Sequence, residues 1–137
     1  MGLFDTWKVS GITTDASKFS EPFHHLAITY DTNELDDIPL ESILSCAYMF
    51  VRLRKSFDAY FNDGIKSEKI DAIKFLVAIA SYIYGKDGIH WNWQKVRNLA
   101  QGFYTSMEES PSDFLQYNLP LIKRFSIEVE EFIYNNT

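Results

Sequence analysis

The chain has 137 residues, of which 46% are hydrophobic, 16% aromatic and 23% charged, and its formal net charge is −6. These values are typical of one globular domain over residues 1–137, and they exclude an intrinsically disordered or collagen-like chain. One cysteine, Cys46, excludes an internal disulfide and a cysteine-only metal site. Its apolar neighbours indicate a buried, unreactive thiol.

The N-terminal sequence MGLFDTWK lacks the basic start and apolar core of a signal peptide, which favours a cytoplasmic location. Gly2 and Thr6 match the myristoylation pattern M-G-x-x-x-[ST]. A single acyl chain with only Lys8 as basic support would anchor the protein weakly. We therefore expect a cytoplasmic protein.

Residues 1–37 are predicted to form an irregular or short-β N-terminal arm. Thr6–Val9 and Leu26–Tyr30 carry some period-2 character, which favours a short hairpin or two isolated strands. Leu26–Tyr30 could equally continue a helix that begins after Ser20. The string DTNELDD from Asp31 has the composition of a loop.

All of the net charge comes from the segment between Phe19 and Val51, which contains six acids and no Lys or Arg. The remaining 13 acids balance the 13 basic residues elsewhere. The acids of this segment are Glu21, Asp31, Glu34, Asp36, Asp37 and Glu41. Such clustering can attract a basic partner. Alternatively, the last three acids flank a helix start, where the helix dipole favours negative charge.

Four main helices are predicted after the arm. The first begins near Asp37, contains Pro39 in its first turn and ends near Asn62 before Gly64. The second runs from about residue 67 to residue 84, between a Ser67 cap and the terminator Gly85.

The second predicted helix is apolar almost all round, because only Asp71, Lys74 and Ser81 form a narrow polar wedge. A helix of this kind must be enclosed by other elements. Its apolar run is too short to span a bilayer. We therefore predict an all-α, four-helix bundle-like domain over residues 38–135, with this apolar helix at its centre.

The third predicted helix follows the turn GKDG at 85–88. It carries the clearest apolar stripe of the chain: Ile89, Trp93, Val96, Leu99, Ala100, Phe103, Tyr104 and Met107. The last helical region begins with a cap at Ser110 and Pro111. Since Pro120 would cost a helix interior about 3 kcal/mol, we expect a short helix over 111–117 and a second over 119–134.

Most catalytic signatures are absent from the sequence, including a phosphate-binding glycine loop, a nucleophile elbow and HExxH. Glu21 and His24 have the E-x-x-H spacing of di-iron bundles, but those bundles need two such motifs and two further glutamates. We therefore predict no metal, no cofactor and no enzymatic activity. His24 and His25 are interpreted as surface or packing residues.

Arg54 falls in the middle of the apolar face of the first predicted helix, and Asp58 lies one turn later. An ion pair at this spacing would allow the helix to tolerate both charges. A functional alternative places the pair at the floor of a cleft that binds an ionic ligand. Arg54 could also extend to solvent or pair with an acid of the N-terminal arm. We favour a structural role.

Large apolar residues also interrupt two polar faces. Trp91 falls on the polar back of the third helix if that helix includes it, and Ile127 and Tyr134 fall on the polar back of the last helix. Such residues indicate a partner or self-association surface only where they join into a patch. Alternatively, the N-terminal arm, with Leu3, Phe4 and Trp7, could fold back and cover one of these positions.

The segment HWNWQKVR at 90–97 interleaves rings with basic residues, a pattern that can bind single-stranded nucleic acid. Trp93 belongs to the apolar stripe, however, which leaves only Trp91 free to stack. The chain is also acidic and lacks a basic patch. Nucleic acid therefore ranks below protein as a partner.

These features predict a small, acidic, non-enzymatic protein-binding module that engages a basic protein surface. Immunity proteins, antitoxins and inhibitors of nucleic-acid enzymes share this size and charge, which is an analogy only. The alternatives are a structural subunit of a homo- or hetero-oligomer or, ranked lower, a single-stranded nucleic-acid-associated subunit. The residues expected to contact a partner are Glu34, Asp36, Asp37, Glu41, Trp91, Ile127 and Tyr134.

Overall fold

The computed structural model of the chain describes residues 4–9, 11–35 and 37–137. In this part of the chain, two short antiparallel strands, β1 (Thr6–Val9) and β2 (Ile12–Asp15), precede five helices. The helices are α1 (Ala16–Thr32), α2 (Leu40–Asp63), α3 (Lys69–Lys86), α4 (Trp93–Glu109) and α5 (Pro111–Asn135). A single 3-10 turn, Lys66–Glu68, leads into α3.

The all-helical architecture with a central apolar helix is confirmed. Every residue from Phe75 to Tyr82 in α3 is buried, and α3 packs against α1, α2 and α4. Even Ser81, in the predicted polar wedge, is buried, and its hydroxyl donates to the Ser20 carbonyl at 2.7 Å. Enclosure by neighbouring helices is therefore what permits a helix this apolar.

Aromatic rings fill the space between the helices. The Phe50 ring lies 5.3 Å from the Phe75 ring and 5.7 Å from the Tyr82 ring. Phe57 continues the cluster towards α5, where its ring lies 6.0 Å from that of Phe114. These separations are those of tilted and edge-to-face ring pairs, which stabilise a packed interior.

The N-terminal hairpin closes a second, smaller core. Phe4 and Trp7 are buried against α3 and α4, in a cluster that includes Val77, Val96 and Ala100. Arg97 of α4 adds an ion pair to Asp5, with Nε–Oδ1 at 3.0 Å. The hairpin therefore covers the α3–α4 face, and it does not reach Ile127 or Tyr134, which are exposed on α5.

The preference for extended structure over Leu26–Tyr30 was wrong, because these residues belong to α1. The alternative prediction was a helix that begins after Ser20, whereas α1 begins at Ala16. The Asp15 side chain caps α1 by accepting a hydrogen bond from the Ser17 amide at 2.9 Å. Burial of Phe23, Leu26 and Ala27 against the core supplies the tertiary stabilisation that a short β-like pattern cannot reveal.

The break expected at Pro120 was also wrong, since α5 is continuous from Pro111 to Asn135. The proline is exposed, so its ring meets solvent on the outer face of the helix. On the inner face, Phe114 precedes it and Ile122 follows it, and both are buried in the same core. Packing on both sides offsets the intrinsic cost of an interior proline.

Helix ends differ from the sequence prediction by a few residues. Gly64 ends α2 in the left-handed conformation, with φ of 67°, as predicted. Gly85, predicted as a terminator, lies inside α3 instead. A Cβ at position 85 would lie 2.5 Å from the His24 carbonyl oxygen and 2.8 Å from the Ala27 Cβ. Its role is therefore to let α1 approach α3 closely.

Candidate functional site

The loop between α1 and α2 and the first turn of α2 carry the acids predicted to bind a partner. Glu34, Asp37 and Glu41 are all exposed, and none forms an ion pair with a cation in the described ranges 4–9, 11–35 and 37–137. Leu35, which lies among them, is 44% exposed. We call these four residues the acidic corner. Asp36 lies outside the described residues.

The other two acids of the same segment have structural partners. Asp31, in the last turn of α1, forms an ion pair with Lys86 of α3. Glu21 lies 3.8 Å from Nε2 of His25, one turn later in α1. The predicted acidic segment therefore divides into a partnered part on α1 and the unpartnered acidic corner.

Trp91 lies in the connection before α4, which begins at Trp93. It is therefore not on the polar back of that helix, where it was predicted to lie only if the helix included it. Asn92 caps α4, since its side chain accepts from the Lys95 amide at 3.1 Å. The Trp91 ring is half-buried and lies 6.1 Å from the His24 ring and 6.5 Å from the Trp93 ring. Part of its surface is thus occupied by packing.

His24 is one of the few buried polar residues of the core. Its Nε2 lies 2.6 Å from the Ile89 carbonyl oxygen, which connects α1 to the loop before α4. Nδ1 is buried and has no hydrogen-bond partner among the described residues. The E-x-x-H spacing brings no ligand set together here, because Glu21 lies beside His25 and His24 faces Ile89.

Ile127 and Tyr134 lie on the outer face of α5, where they are 56% and 82% exposed. No described residue of the N-terminal arm covers them, because Phe4 and Trp7 pack on α3 and α4. Their placement agrees with the polar back predicted from the sequence. Whether they contact a partner remains a prediction.

Arg54 and Asp58 form the i, i+4 ion pair that their spacing predicts. Arg54 Nε lies 3.1 Å from both carboxylate oxygens of Asp58, and its NH1 donates to the Ser126 hydroxyl at 2.8 Å. These contacts join α2 to α5 at the edge of an open depression of about 270 Å³. Because its main donors already have protein acceptors, Arg54 fits a structural tie better than an ionic-ligand site.

A larger charge network, which the sequence prediction missed, lies where α1, α3 and α5 meet. Glu128 of α5 is only 8% exposed. Its Oε1 accepts from the Tyr82 hydroxyl at 2.8 Å and lies 3.0 Å from Lys86 Nζ. Arg124 reaches Oε2 at 3.3 Å. These contacts tie the three helices together, and removing one partner would leave a buried charge uncompensated.

The ionisation of nearby phenols reflects this network. Burial, together with the hydrogen bond to Glu128, raises the pKa of Tyr82. The Tyr30 hydroxyl donates to Glu131 at 2.7 Å, and this bond raises the pKa of Tyr30 to about 12. In both cases a neighbouring carboxylate opposes formation of a phenolate.

A sequence signal for Glu128 did exist. It lies three residues after Phe125 and four before Phe132, so it falls on the buried face of α5. A carboxylate on such a face needs a cation or a donor. The tertiary placement of α3 alone shows that Lys86 and Tyr82 are the groups that fill this need.

The openings lined by described residues differ in size. An apolar gap between Ile79, Phe103 and Phe114 measures about 10 Å³, roughly the space of one water molecule. Larger openings lie at the surface. One of these, of about 380 Å³, runs between α1 and α2 beside the acidic corner, where Pro22, His25, Ile38 and Ser42 line it.

Among the described residues, no group of three or more His, Cys, Asp or Glu side chains is placed to hold a metal ion. In the same residues, no helix combines the length and apolar character needed to cross a membrane. Gly2 of the myristoylation pattern lies outside the described residues.

Comparisons with known proteins add no family to this description: no protein-family model, no curated protein and no solved structure matches the chain.

Proposed function

We propose that the protein is a non-enzymatic protein-binding module whose acidic corner engages a basic surface of a partner. The observation that carries the proposal is the group of exposed carboxylates, Glu34, Asp37 and Glu41, that have no cation among the described residues. Carboxylates grouped without counter-charge repel one another and attract a partner of opposite sign.

The helix dipole of α2 does not explain why these three acids are grouped. α2 begins at Leu40, and its N-cap position is occupied by Pro39, which offers no side-chain cap. Only Glu41 lies in the first turn, where the dipole favours an acid. Glu34 and Asp37 lie before the helix and make no cap to it, so their charge has no evident role in the fold.

The surroundings of the acids suit a protein partner better than an isolated ion. Leu35 exposes apolar surface among the carboxylates. The opening between α1 and α2 adds a concave floor that includes Ile38 and Pro22, with Lys18 as the one cation in its lining. An apolar centre with a charged rim is the usual composition of a protein interface.

Inhibition or immunity is one form that such binding could take, by analogy of size and charge only. An enzymatic role has less support. The interior groups with catalytic potential, Glu128, Lys86 and Tyr82, bind one another. Burial raises the pKa of the Cys46 thiol, which disfavours the nucleophilic thiolate.

Affinity capture from the native host, with matched bait proteins, tests the proposal. The corner variant carries Glu34→Gln, Asp37→Asn and Glu41→Gln. The control variant carries Asp63→Asn, Asp87→Asn and Glu109→Gln, which removes the same charge from exposed positions elsewhere. The expected result is a basic protein that binds wild type and control, but binds the corner variant at least ten-fold more weakly.

Salt dependence provides the second measurement. The association rate of the captured partner should fall as salt rises, and this dependence should be weaker in the corner variant. Equal binding by the corner variant and wild type would overturn the proposal. An equal loss in both variants would show that total charge, and not the acidic corner, governs binding.

A further inference from the structure

The outer face of α5 carries a second stripe of residues besides the one buried in the bundle. Its members recur at alternating spacings of three and four residues, and all are exposed: Asp113, Gln116, Pro120, Lys123, Ile127, Glu130 and Tyr134. This 3.5-residue repeat is the spacing of a seam between two paired helices. No described element of the chain packs on it.

The apolar members of the stripe are arranged symmetrically. Ile127 occupies its centre, and Pro120 and Tyr134 lie seven residues before and after it. At 1.5 Å per residue, each is about 10 Å from Ile127 along the helix axis. Ile127 and Tyr134 are 56% and 82% exposed, so both present apolar surface that a partner could cover.

The charged members have opposite signs on the two sides of Ile127. Lys123 lies before it and Glu130 after it, and neither forms an ion pair with any described residue. Their seven-residue separation is too long for an ion pair within one helix. Lys55 borders the same depression as Glu130, but no ion pair joins the two.

We propose that this stripe pairs with the same stripe of a second copy of the chain, with the two α5 helices antiparallel and Ile127 on the two-fold axis. Pro120 and Tyr134 lie seven residues from Ile127 on either side, so Tyr134 of each copy meets Pro120 of the other. Lys123 lies four residues before Ile127 and Glu130 three after it, so Lys123 of each copy approaches Glu130 of the other with an offset of one residue, about 1.5 Å along the helix axis. Every contact occurs twice, as a two-fold interface requires.

Self-complementarity of charge selects this orientation and this occupant. A parallel pair would place Lys123 against Lys123 and Glu130 against Glu130, which repel. A different protein would have to reproduce the same spacing of charge and apolar surface. A contact limited to one exposed stripe of one helix should bury less than the roughly 800 Å² per partner of a standard complex, so we expect a weak dimer that dissociates at low concentration.

Sedimentation equilibrium at concentrations from about 10 µM to 1 mM tests the charge pairing. Wild type should dimerise across this range. Lys123→Glu and Glu130→Lys should each abolish dimerisation, because each single change creates two like-charge contacts. The double variant carrying both changes should dimerise again.

Mixing the two single variants tests the contact between positions 123 and 130 most directly. One chain then carries acids at both positions and the other carries bases, so the pair should form a heterodimer although neither variant forms a homodimer. Thermal unfolding at about 1 µM, where the weak dimer is dissociated, should be unchanged in all variants, since both side chains are exposed. A wild type that stays monomeric at 1 mM, single variants that dimerise normally, or a mixture without rescue would each overturn the proposal.

Cysteine cross-linking tests the register. Under oxidation, Ile127→Cys should link to itself across the axis, whereas Tyr134→Cys should not, because its two copies lie about 20 Å apart in this arrangement. A mixture of Pro120→Cys and Tyr134→Cys chains should link. Self-linking at both 127 and 134 would show parallel helices and overturn the register. Because the acidic corner takes no part, this result is independent of the proposed function.

Discussion

Two carboxylate-rich regions of this molecule differ in almost every physical respect. Around Glu128, the carboxylate is buried and bound by Lys86, Arg124 and Tyr82. At the acidic corner, the carboxylates of Glu34 and its neighbours are exposed, and none forms an ion pair with a cation among the described residues. The same functional group therefore stabilises the fold in one place and is available for binding in the other. The difference lies in whether a cation or a donor is within reach.

A carboxylate placed in the interior without any cation should show how much the Glu128 partners contribute. Ala78 of α3 is fully buried in the aromatic core, so Ala78→Asp should destabilise the protein by several kcal/mol and unfold much of it. Circular dichroism with urea denaturation measures the effect. Gln101→Asp, on the exposed face of α4, is the matched control. A urea midpoint of Ala78→Asp close to that of wild type would show that α3 is not enclosed.

Removing the buried charge itself is the next largest perturbation. Glu128→Gln keeps the shape of the side chain but leaves Lys86 with Asp31 alone, and should cost about 3 kcal/mol. Lys86→Met should cost less in the Glu128→Gln background than in wild type, because the two residues are coupled. Strictly additive losses in this double-mutant cycle would contradict the coupling. Glu109→Gln, at an exposed position at the end of α4, serves as the control.

Alkaline pH perturbs the same region through its phenols. An unfolded tyrosine titrates near pH 10, whereas contact with Glu131 raises the pKa of Tyr30 to about 12, and burial raises that of Tyr82. The unfolded state therefore loses protons first. Stability from these groups is present below pH 10 and falls as pH rises above it.

We expect Tyr82→Phe to remove up to about 1.4 kcal/mol per pH unit from this alkaline slope. Urea unfolding at pH 9, 10 and 11, with phenolate absorbance recorded in parallel, measures the slope. Tyr48→Phe, which removes an exposed hydroxyl, is the matched control. An unchanged slope in Tyr82→Phe would mean that this phenol does not resist titration in the folded protein.

Neutralising the acidic corner should have the smallest effect on stability. The variant with Glu34→Gln, Asp37→Asn and Glu41→Gln should unfold within about 0.5 kcal/mol of wild type, because the charges are exposed and unpartnered. Losing the favourable interaction of Glu41 with the helix dipole lowers the free energy of unfolding, whereas relieving the repulsion among the three acids raises it. A loss of more than 2 kcal/mol would identify the corner as a structural element like the Glu128 network.

Periodicity predicted the parts of the fold that depend on one helix at a time. The apolar run in α3 indicated a central, enclosed helix, and the stripe of α4 identified Val96 and Ala100 as core residues. The Arg54–Asp58 pair followed from its i, i+4 spacing. The exposure of Ile127 and Tyr134 followed from the same helical geometry.

Errors arose where a tertiary contact overrides a local preference. Leu26–Tyr30 has β-favouring residues, but it is helical because Leu26 and Ala27 pack into the core. Pro120 disfavours a helix interior, but buried residues on both sides keep α5 continuous. Gly85 has the composition of a helix stop, but its missing side chain serves the close contact with α1.

The sequence by itself determined that this chain forms helices around α3 and that its charge is concentrated before α2, because both properties follow from residue order. Only the tertiary structure decided which acids are free. Asp31 lies in the same acidic segment as Glu34, but the crossing of α1 and α3 brings it to Lys86. Glu128 lies far from Lys86 in the sequence, but it binds the same cation. Electrostatic energy depends on distance in space, and residue order alone does not give that distance.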